Sequence, residues 1–304
     1  MSVLEFNNVT KFYDKKMALN NISLNVDIGN IIALVGHNGA GKTTLIKLLL
    51  GLIYPTKGHL KVLGLNIANP SNKNIKKKIG FLPETVTFKN NMSGIEVLNF
   101  FSRLKNTDQF NNMKLLEKVG LAEVSKQNIK TYSKGMIQRL GLAQALLGTP
   151  RILLLDEPTN GLDPILRLQF YDILSDLRER GVTILISSHA LSEIENKVDK
   201  IIIINKGKII TNRSLSYLRQ NTNIPIYLRF KIKKQVSNSI VTKLANYQYK
   251  LINKRTIEFK CFPKEKINII KTAFKIGLEV DDLEIESTSM STLYKYYIDE
   301  RKVI

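Results

Sequence analysis

The chain has 304 residues, and 43% of them are hydrophobic, which is enough to build one large domain or two of moderate size. Its longest apolar runs, such as Ile201–Ile204, fall far short of the roughly 18 residues that cross a bilayer, and the amino terminus lacks the apolar segment of a signal peptide. Cys261 is the only cysteine, so an internal disulfide is excluded. These features predict a chain that remains in the reducing cytosol.

The net charge of +20 is large and admits two interpretations. The excess of Lys and Arg could attract an anionic surface, either nucleic acid or the inner face of a membrane. It could also reflect a general abundance of Lys, Asn and Ile along the chain. No single basic block stands out in the sequence, which favours the second interpretation.

Apolar strand candidates alternate with helices and glycine turns up to position 220. Met136–Leu147 is predicted to form a helix that Gly148 ends, and another helix is predicted to start at Asp163-Pro164 and to stop at Gly181. Asn205–Lys208 lies between two Ile-rich runs and predicts a hairpin turn. The strand candidates are Ile22–Ile28, Ile31–Val35, Ile79–Leu82, Ile152–Leu155, Val182–Ile186 and Ile201–Ile204. Several of them are continuously apolar, as is typical of strands buried in a parallel sheet.

A glycine-rich segment, Gly36–Thr43, follows one of these strands and matches the pattern G-x-x-x-x-G-K-[ST]. Its glycines allow backbone N–H groups to surround phosphate oxygens, and a helix predicted at Thr44–Leu52 adds the partial positive charge of its N-terminus. We expect Lys42 to reach the β- and γ-phosphates of ATP and the Thr43 hydroxyl to ligate Mg²⁺.

Two adjacent acids, Asp156 and Glu157, end the strand candidate Ile152–Leu155, which we expect to lie beside the strand that precedes Gly36. Asp156 is predicted to hold Mg²⁺ through water, and Glu157 to orient the water that attacks the γ-phosphate. The alternative is a pair of acids that only caps the end of a strand. The presence of Lys42 and Thr43 favours the catalytic interpretation.

Further motifs occur in the order found in one family. Ser133-Lys134-Gly135-Met136 resembles the signature motif of ABC ATPases, in the form YSKGM rather than LSGGQ. Glu157-Pro158-Thr159 and Gly161-Leu162-Asp163 resemble the extended Walker B motif and D-loop of that family, and Ser188-His189 resembles its H-switch. The resemblance covers residues 1–215 and implies an α/β P-loop NTPase cassette with a RecA-like core and a helical subdomain.

In this family two cassettes pair about a two-fold axis and enclose two ATP molecules, so the resemblance implies a homodimer. It implies that Ser133 and Gly135 meet the γ-phosphate held by the other subunit, and that Asp163 acts across the interface, although a role as helix N-cap would equally explain Asp163. His189 would contact the γ-phosphate and the catalytic water. The residues expected to bind nucleotide are Tyr13, Gly36, His37, Asn38, Gly39, Ala40, Gly41, Lys42, Thr43, Thr44, Ser133, Gly135 and Asp163.

The resemblance also implies roles for Tyr13 and Glu84, although each has an alternative or departs from the usual residue. Tyr13 is similar in position to the aromatic residue that stacks on adenine, although burial in the core is an alternative. Glu84 occupies a position where the family commonly has Gln. Because a carboxylate can also accept a hydrogen bond from Mg²⁺-bound water, we expect Glu84, with Thr43 and Asp156, to belong to the magnesium site.

The predicted domains are an ABC cassette over residues 1–218, with a helical subdomain at 85–150, and an accessory α+β domain over 222–304. Phe88, Phe100 and Phe101 are expected in the core of the helical subdomain, although the family also has a cleft there that receives a helix from a membrane permease. The second domain is predicted to be ferredoxin-like, in the order βαββαβ. Its elements are a strand at 225–232, a helix at 235–245, strands at 248–252 and 256–261, a helix at 264–276 and a strand at 279–285, followed by a final helix at 290–299.

Three classes of function fit a phosphate-binding loop. A small-molecule kinase or GTPase would not explain the motifs after position 130. A soluble ABC ATPase acting on nucleic acid or the ribosome usually has two cassettes or a long inserted coiled coil, and this chain has neither, so we expect no direct contact with nucleic acid. An ATP-hydrolysing subunit that powers an integral membrane permease from the cytoplasmic face of the membrane is therefore the expectation.

Four stretches of the chain are also similar to one group of transporter ATPases. They are 131–164, 180–199, 215–230 and 291–298, and the group is the copper-processing ABC transporter that matures nitrous-oxide reductase. This resemblance implies export of copper or a sulfur species and a periplasmic maturation protein as a further partner. A general exporter ATPase for drugs, lipids or polysaccharides is the alternative.

Overall fold

The computed structural model describes residues 2–88, 91–236, 244 and 247–299. The chain divides into two compact units, Met1–Asn212 and Arg213–Ile304, and each is described by itself. The division falls ahead of position 218, where the first domain is predicted to end.

The first unit contains two sheets. The antiparallel sheet has the order β2-β1-β4-β5, with β1 (Ser2–Tyr13), β2 (Lys16–Asp27), β4 (Lys57–Val62) and β5 (Leu65–Asn66). The second sheet has the order β10-β9-β3-β8-β7-β6, and its strands from β9 to β6 run parallel to their neighbours. They are β3 (Ile31–Val35), β6 (Ile79–Leu82), β7 (Ile152–Asp156), β8 (Thr183–Ser188), β9 (Lys200–Asn205) and β10 (Lys208–Arg213).

The helices of the first unit follow the capping residues seen in the sequence. Asp163 accepts a hydrogen bond from the Leu166 amide at 2.9 Å, and Pro164 opens the helix behind it. The helices are α1 (Lys42–Leu49), α2 (Gly94–Lys105), α3 (Asn112–Lys118), α4 (Lys134–Ala145), α5 (Pro164–Glu179) and α6 (Leu191–Ile194), with 3₁₀ turns at Pro70–Lys78 and Ile129–Thr131. α2, α3 and α4 pack against one another and form the helical part of the unit.

Several predicted boundaries need correction. The strand predicted at Ile22–Ile28 begins at Lys16, because β2 belongs to a half-exposed antiparallel sheet in which buried and exposed residues alternate. The helix predicted at Met136–Leu147 begins earlier, at Lys134, because Ser133 caps it. α1 includes Lys42 and Thr43, which were expected in the loop before it.

The main hydrophobic core lies around α1, between the two sheets. Leu45 and Leu48 of α1 share a buried cluster with Phe6 of β1 and Leu34 of β3. Each of these side chains is almost fully excluded from water. Burial of such side chains stabilises the unit by about 1.5–3 kcal/mol each, and it also fixes the start of α1 against the end of β3.

The expectation that the strand ending in Asp156 lies beside the strand preceding Gly36 is wrong. β8 lies between β7 and β3, pairing in parallel with both of them. The apolar pattern identifies the strands, but their order in the sheet depends on pairing between distant segments. As a result the end of β8, at Ser187 and Ser188, lies between the acids and the glycine loop.

The three phenylalanines expected in the core of the helical subdomain are not buried. Phe100 is 42% exposed, and Phe88 and Phe101 are half-buried. Phe101 makes edge-to-face contacts with the other two, at centroid distances of 5.4 and 6.0 Å. The apolar face of α2 is wider than the surface that its neighbouring helices cover, so part of it borders a groove of about 480 Å³ that Phe88 and Phe101 line.

The second unit is a small α+β domain. Its antiparallel sheet has the order β12-β13-β11-β14, which is the order of a split βαβ unit. Phe230 and Phe259 pack edge to face in its core, with centroids 5.4 Å apart. The predicted helix at 235–245 falls largely outside the described residues. The elements are α7 (Leu215–Gln220), β11 (Ile226–Ile232), β12 (Tyr249–Asn253), β13 (Thr256–Cys261), α8 (Lys266–Lys275), β14 (Val280–Glu286) and α9 (Met290–Asp299).

Neither unit offers a membrane span: within the part of the chain that the structure describes, no helix combines the length and apolar character needed to cross a bilayer.

Candidate active site

The glycine loop connects the end of β3 to the start of α1, and close packing explains its composition. A Cβ at Gly36 would lie 2.5 Å from the carbonyl oxygen of Ile204 in β9. Gly41 has a φ of +116° and would place a Cβ 2.8 Å from the Leu19 side chain. Gly41 also contributes no capping side chain to α1, so the amide groups of the first turn remain available to phosphate oxygens.

Lys42 is held against the loop. Its residue is only 8% exposed, and its Nζ donates hydrogen bonds to the carbonyl oxygens of Gly36 at 2.5 Å and His37 at 3.5 Å. The His37 ring is anchored in turn, with its Nε2 2.9 Å from Oδ1 of Asn205 at the end of β9. The side chain of Lys42 is therefore fixed at the loop, where the N-terminus of α1 adds a partial positive charge.

The two acids lie at the carboxyl end of β7. Glu157 is 8% exposed and adopts a left-handed φ of 48°, which is unusual for a residue with a side chain. Its Oε2 lies 2.8 Å from Nδ1 of His189, whose side chain is largely exposed. Glu157 and His189 thus form a carboxylate–imidazole pair at the edge of the sheet.

Sequence reasoning missed Ser187, the residue that joins the two acids. Its hydroxyl donates a short hydrogen bond to Asp156 Oδ1 and accepts one from the Glu157 amide at 3.0 Å. Ser187 is fully buried and is the register partner of Asp156. Only the pairing of β7 with β8 reveals this role, because the two residues are far apart in the chain.

One cleft of about 970 Å³ gathers thirteen of the predicted site residues. Ala40 lies beneath the loop, and its carbonyl accepts a hydrogen bond from the Gly207 amide at 2.9 Å. The predicted residues that line the cleft are Tyr13, Gly36, His37, Asn38, Gly39, Gly41, Lys42, Thr43, Thr44, Glu84, Asp156, Glu157 and His189.

Five residues that were not predicted also line the cleft: Lys16, Met17, Ala18, Lys206 and Gly207. The pattern around Gly207 predicted a hairpin turn but not its position. A Cβ at Gly207 would lie 2.6 Å from the Ala18 carbonyl oxygen, so this turn packs directly on β2.

Besides Ala40, three predicted residues do not line the cleft. Ser133 caps α4, accepting a hydrogen bond from the Met136 amide at 3.2 Å, while Gly135 follows in the first turn of that helix. Asp163 caps α5. Within a single chain these residues therefore serve as helix starts, as the capping interpretation of Asp163 anticipates.

A polar network next to the acids was also missed. Glu193 of α6 accepts a hydrogen bond from the Thr159 hydroxyl at 3.1 Å and forms an ion pair with Arg167 of α5. Arg167 also donates to the Leu162 carbonyl at 2.9 Å. The buried Tyr171 adjoins this network, and burial, reinforced by the negative charge of Glu193, raises its pKa to about 12.

The donor set of the cleft fits a magnesium ion. Thr43 supplies a hydroxyl, and Asp156 and Glu84 supply carboxylates. Mg²⁺ prefers oxygen ligands and retains several waters, so it needs only a few protein donors when phosphate oxygens complete its shell. The described residues contain no group of three or more His, Cys, Asp and Glu side chains placed to hold a metal by themselves.

Comparison with known proteins decides the family. A family model described as ABC transporter matches residues 19–160. The bacitracin transport ATP-binding protein BcrA of Bacillus licheniformis is 39% identical over 236 residues, covering 77% of this chain and 76% of that protein. The chain belongs to the ABC transporter family. As an ABC ATP-binding subunit it binds ATP, and its hydrolysis of ATP is coupled to transport through a membrane permease.

Other ABC proteins are similar over much or all of the chain. The lantibiotic transport ATP-binding protein SrtF of Streptococcus pyogenes is 38% identical, covering 69% of this chain and 90% of that protein. The uncharacterized ABC transporter ATP-binding protein YhcH of Bacillus subtilis is 34% identical and covers 99% of this chain and 97% of its own length. Among solved structures, an ATP-binding subunit of an ABC transporter superposes with a TM-score of 0.66 at 26% identity, covering 72% of this chain and 92% of that one.

Proposed function

We propose that the cleft binds ATP with Mg²⁺ and that the chain hydrolyses it at the Glu157–His189 pair. The main support for this proposal is that Lys42, Asp156 and Glu157 line one cleft although they come from distant segments. Loop amides and Lys42 hold the phosphates, while Tyr13 stacks on adenine. Thr43 and Asp156 would hold the metal with Glu84, and the metal would supply positive charge that offsets the negative charge of the phosphates.

The protein groups then act on the attacking water. Glu157 accepts a hydrogen bond from this water and polarises it. The left-handed backbone of Glu157 and the contact with His189 at 2.8 Å fix where the carboxylate points. His189, exposed at the rim of the cleft, donates to the γ-phosphate oxygen as charge accumulates there.

A second copy of the chain completes the site. Ser133 caps α4 and Gly135 lies in the first turn of that helix, while Asp163 caps α5. None of them lines the cleft of its own chain. A two-fold dimer brings these helix starts to the γ-phosphate held by the partner, where the helix dipole favours negative charge.

The permease contacts the groove beside α2. Its lining combines the apolar side chains of Phe81, Phe88, Phe101 and Leu104 with the polar side chains of Lys105 and others. Phe100, which is 42% exposed, extends the apolar surface beyond it. An uncovered apolar groove of this kind fits a short amphipathic helix, the usual occupant of such surfaces, and we propose that a cytoplasmic helix of the permease fills it.

For the transported substrate we favour a peptide antibiotic. The relatives named for bacitracin and lantibiotic transport are 38–39% identical to this chain. The hypothesis of copper or sulfur-species export, with a periplasmic maturation protein as partner, has only the sequence resemblance to support it. These two hypotheses differ in which compound the transporter should protect cells against.

The ATPase proposal is tested with Glu157→Gln. The amide keeps the shape of the side chain but accepts a proton poorly, so we expect kcat to fall by about 100-fold or more while ATP binding persists. ATP should also trap this variant as a dimer, detected by size-exclusion chromatography. Glu179→Gln, an exposed change at the end of α5, is the matched control. Normal turnover by Glu157→Gln would remove Glu157 from its proposed role.

The groove and the substrate are tested together in cells. Membranes that contain the tagged chain are solubilised, and the co-purifying permease is identified by mass spectrometry. Phe101→Asp should abolish recovery of the permease, whereas Phe110→Asp, an exposed change away from the groove, should not.

Cells producing the chain and that permease are then grown with bacitracin, a lantibiotic or copper. Protection against copper alone would contradict peptide export, and recovery of ribosomes or DNA in place of a permease would contradict the transport assignment.

A further inference from the structure

Ser187 occupies a distinctive place between the acids. It is paired in register with Asp156 on the adjacent strand, and its side chain is fully buried. A serine hydroxyl has one hydrogen to donate and two lone pairs to accept. Here the hydrogen is directed to Asp156 Oδ1, and a lone pair accepts the Glu157 amide at 3.0 Å. One hydroxyl thus contacts both residues of the acidic pair.

The hydrogen bond from the Glu157 amide to the Ser187 hydroxyl supports the unusual backbone conformation of Glu157. A left-handed conformation is unfavourable for a residue with a Cβ, so Glu157 needs partners that hold it at its φ of 48°. The Ser187 hydroxyl and the Ser187 carbonyl, at 3.0 and 3.2 Å, both accept from that amide. The turned backbone in turn places the Glu157 carboxylate 2.8 Å from His189.

The contact with Asp156 sets the direction of its carboxylate. Oδ1 accepts the hydrogen bond from the hydroxyl, and Asp156 lines the cleft. The next residue, Ser188, offers a contrast within the same strand. Ser188 is also buried, but its hydroxyl accepts a hydrogen bond from the Ala190 amide at 3.0 Å and so serves the turn that follows β8.

We propose that Ser187 is a positioning residue for ATP hydrolysis: its hydroxyl holds Asp156 and Glu157 in a fixed relation, one as a metal ligand and the other as the residue that orients water. This inference rests on the proposed function of the two acids. It differs from a purely structural role, in which the hydroxyl would only satisfy buried polar groups and would affect folding but not turnover.

The test compares the full chain as wild type with Ser187→Ala, Ser187→Thr and a control, Ser102→Ala. Ser102 is a buried serine of α2 whose hydroxyl donates to Asn112 Oδ1 at 3.0 Å, away from the cleft. The rate constant kcat, the KM for ATP and the melting temperature are measured for each. Loss of a hydrogen bond to a charged group predicts that kcat of Ser187→Ala falls by about 10- to 100-fold while KM changes by less than about 3-fold. Threonine keeps the hydroxyl and suits a strand, so it should restore most of kcat. Ser102→Ala should retain kcat within about 2-fold.

A second readout does not depend on turnover. In the Glu157→Gln background, which stops hydrolysis, binding of a fluorescent ATP analogue is titrated with Mg²⁺. Adding Ser187→Ala should raise the half-saturating Mg²⁺ concentration by about 3- to 10-fold, because Asp156 is no longer held in place. Adding Ser102→Ala should leave the half-saturating Mg²⁺ concentration unchanged.

Each outcome bears on the inference. If Ser187→Ala keeps both kcat and Mg²⁺ dependence equal to those of Ser102→Ala, the positioning role is overturned. If Ser187→Ala unfolds at the assay temperature, Ser187→Cys, which keeps the side-chain shape but donates a weaker hydrogen bond, replaces it in the same comparison. Absence of hydrolysis in the wild type would instead contradict the proposed function and would be seen before any variant is compared.

Discussion

Tyr171 allows a quantitative prediction about alkaline stability. It lies in α5, is 5% exposed, and adjoins the network of Thr159, Glu193 and Arg167. Burial and the charge of Glu193 raise its pKa from 10.0 to about 12. The folded chain therefore keeps the phenol proton between pH 10 and 12, whereas the unfolded chain releases it. The contribution of the buried phenol to the free energy of unfolding is fully present below pH 10 and is lost as the pH rises toward 12.

The size of the loss follows from the two pKa values. Each unit of pKa difference corresponds to about 1.4 kcal/mol, so the full loss above pH 12 approaches about 2.7 kcal/mol for this group. At pH 11, midway between the two values, the loss is about 1.4 kcal/mol. Other groups also titrate in this range, so the quantity of interest is the difference between wild type and Tyr171→Phe.

Urea denaturation of the full chain at pH 8 and pH 11 measures this difference. The free energy of unfolding of the wild type should fall by about 1.4 kcal/mol more than that of Tyr171→Phe between the two pH values. Tyr54→Phe, which changes an exposed tyrosine, serves as the matched control and should follow the wild type. An equal fall in wild type and Tyr171→Phe would refute the argument that the buried phenol must stay neutral.

The remaining predictions concern the loop, a close contact and the network. Lys42→Ala removes the cation held at the loop and should weaken ATP binding by about 100-fold in calorimetry, while the exposed Lys47→Ala should not; equal affinities would contradict the assignment. Gly80→Ala puts a Cβ 2.2 Å from the carbonyl of the last residue of α4 and should lower the free energy of unfolding by about 3 kcal/mol; an unchanged urea midpoint would show that α4 can move aside. In a double-mutant cycle by urea denaturation, Arg167→Ala and Glu193→Gln should couple by about 0.5–1 kcal/mol because the pair is partly exposed; strict additivity would show that the ion pair contributes nothing.

The local features of the cassette were readable from the sequence. The glycine loop could be predicted because its whole motif, including the glycines that the turn requires, lies within eight consecutive residues. Most strands and helices could be predicted from apolar periodicity and capping residues, including the end of β7 at the acids. In the second unit, the strand at 256–261 and the final helix at 290–299 coincide with β13 and α9.

Features that depend on pairing between distant segments were not readable. The order β3-β8-β7 contradicts the expected neighbours, because an apolar run does not specify which strand it pairs with. Ser187 was missed for the same reason, since its role appears only once it is opposite Asp156. Phe101 was expected in the core, but side-chain type alone does not show whether another element covers a helix face.

The network around Glu193 gives the cassette an internal linkage. Thr159 follows the acids by two residues, Leu162 precedes the cap of α5, and both are tied through Glu193 and Arg167 to the helix after His189. α6 therefore cannot shift while α5 stays in place unless the ion pair breaks. Asp163, which we propose faces a second copy, directly follows Leu162, so this ion pair connects the helix after His189 with the start of α5.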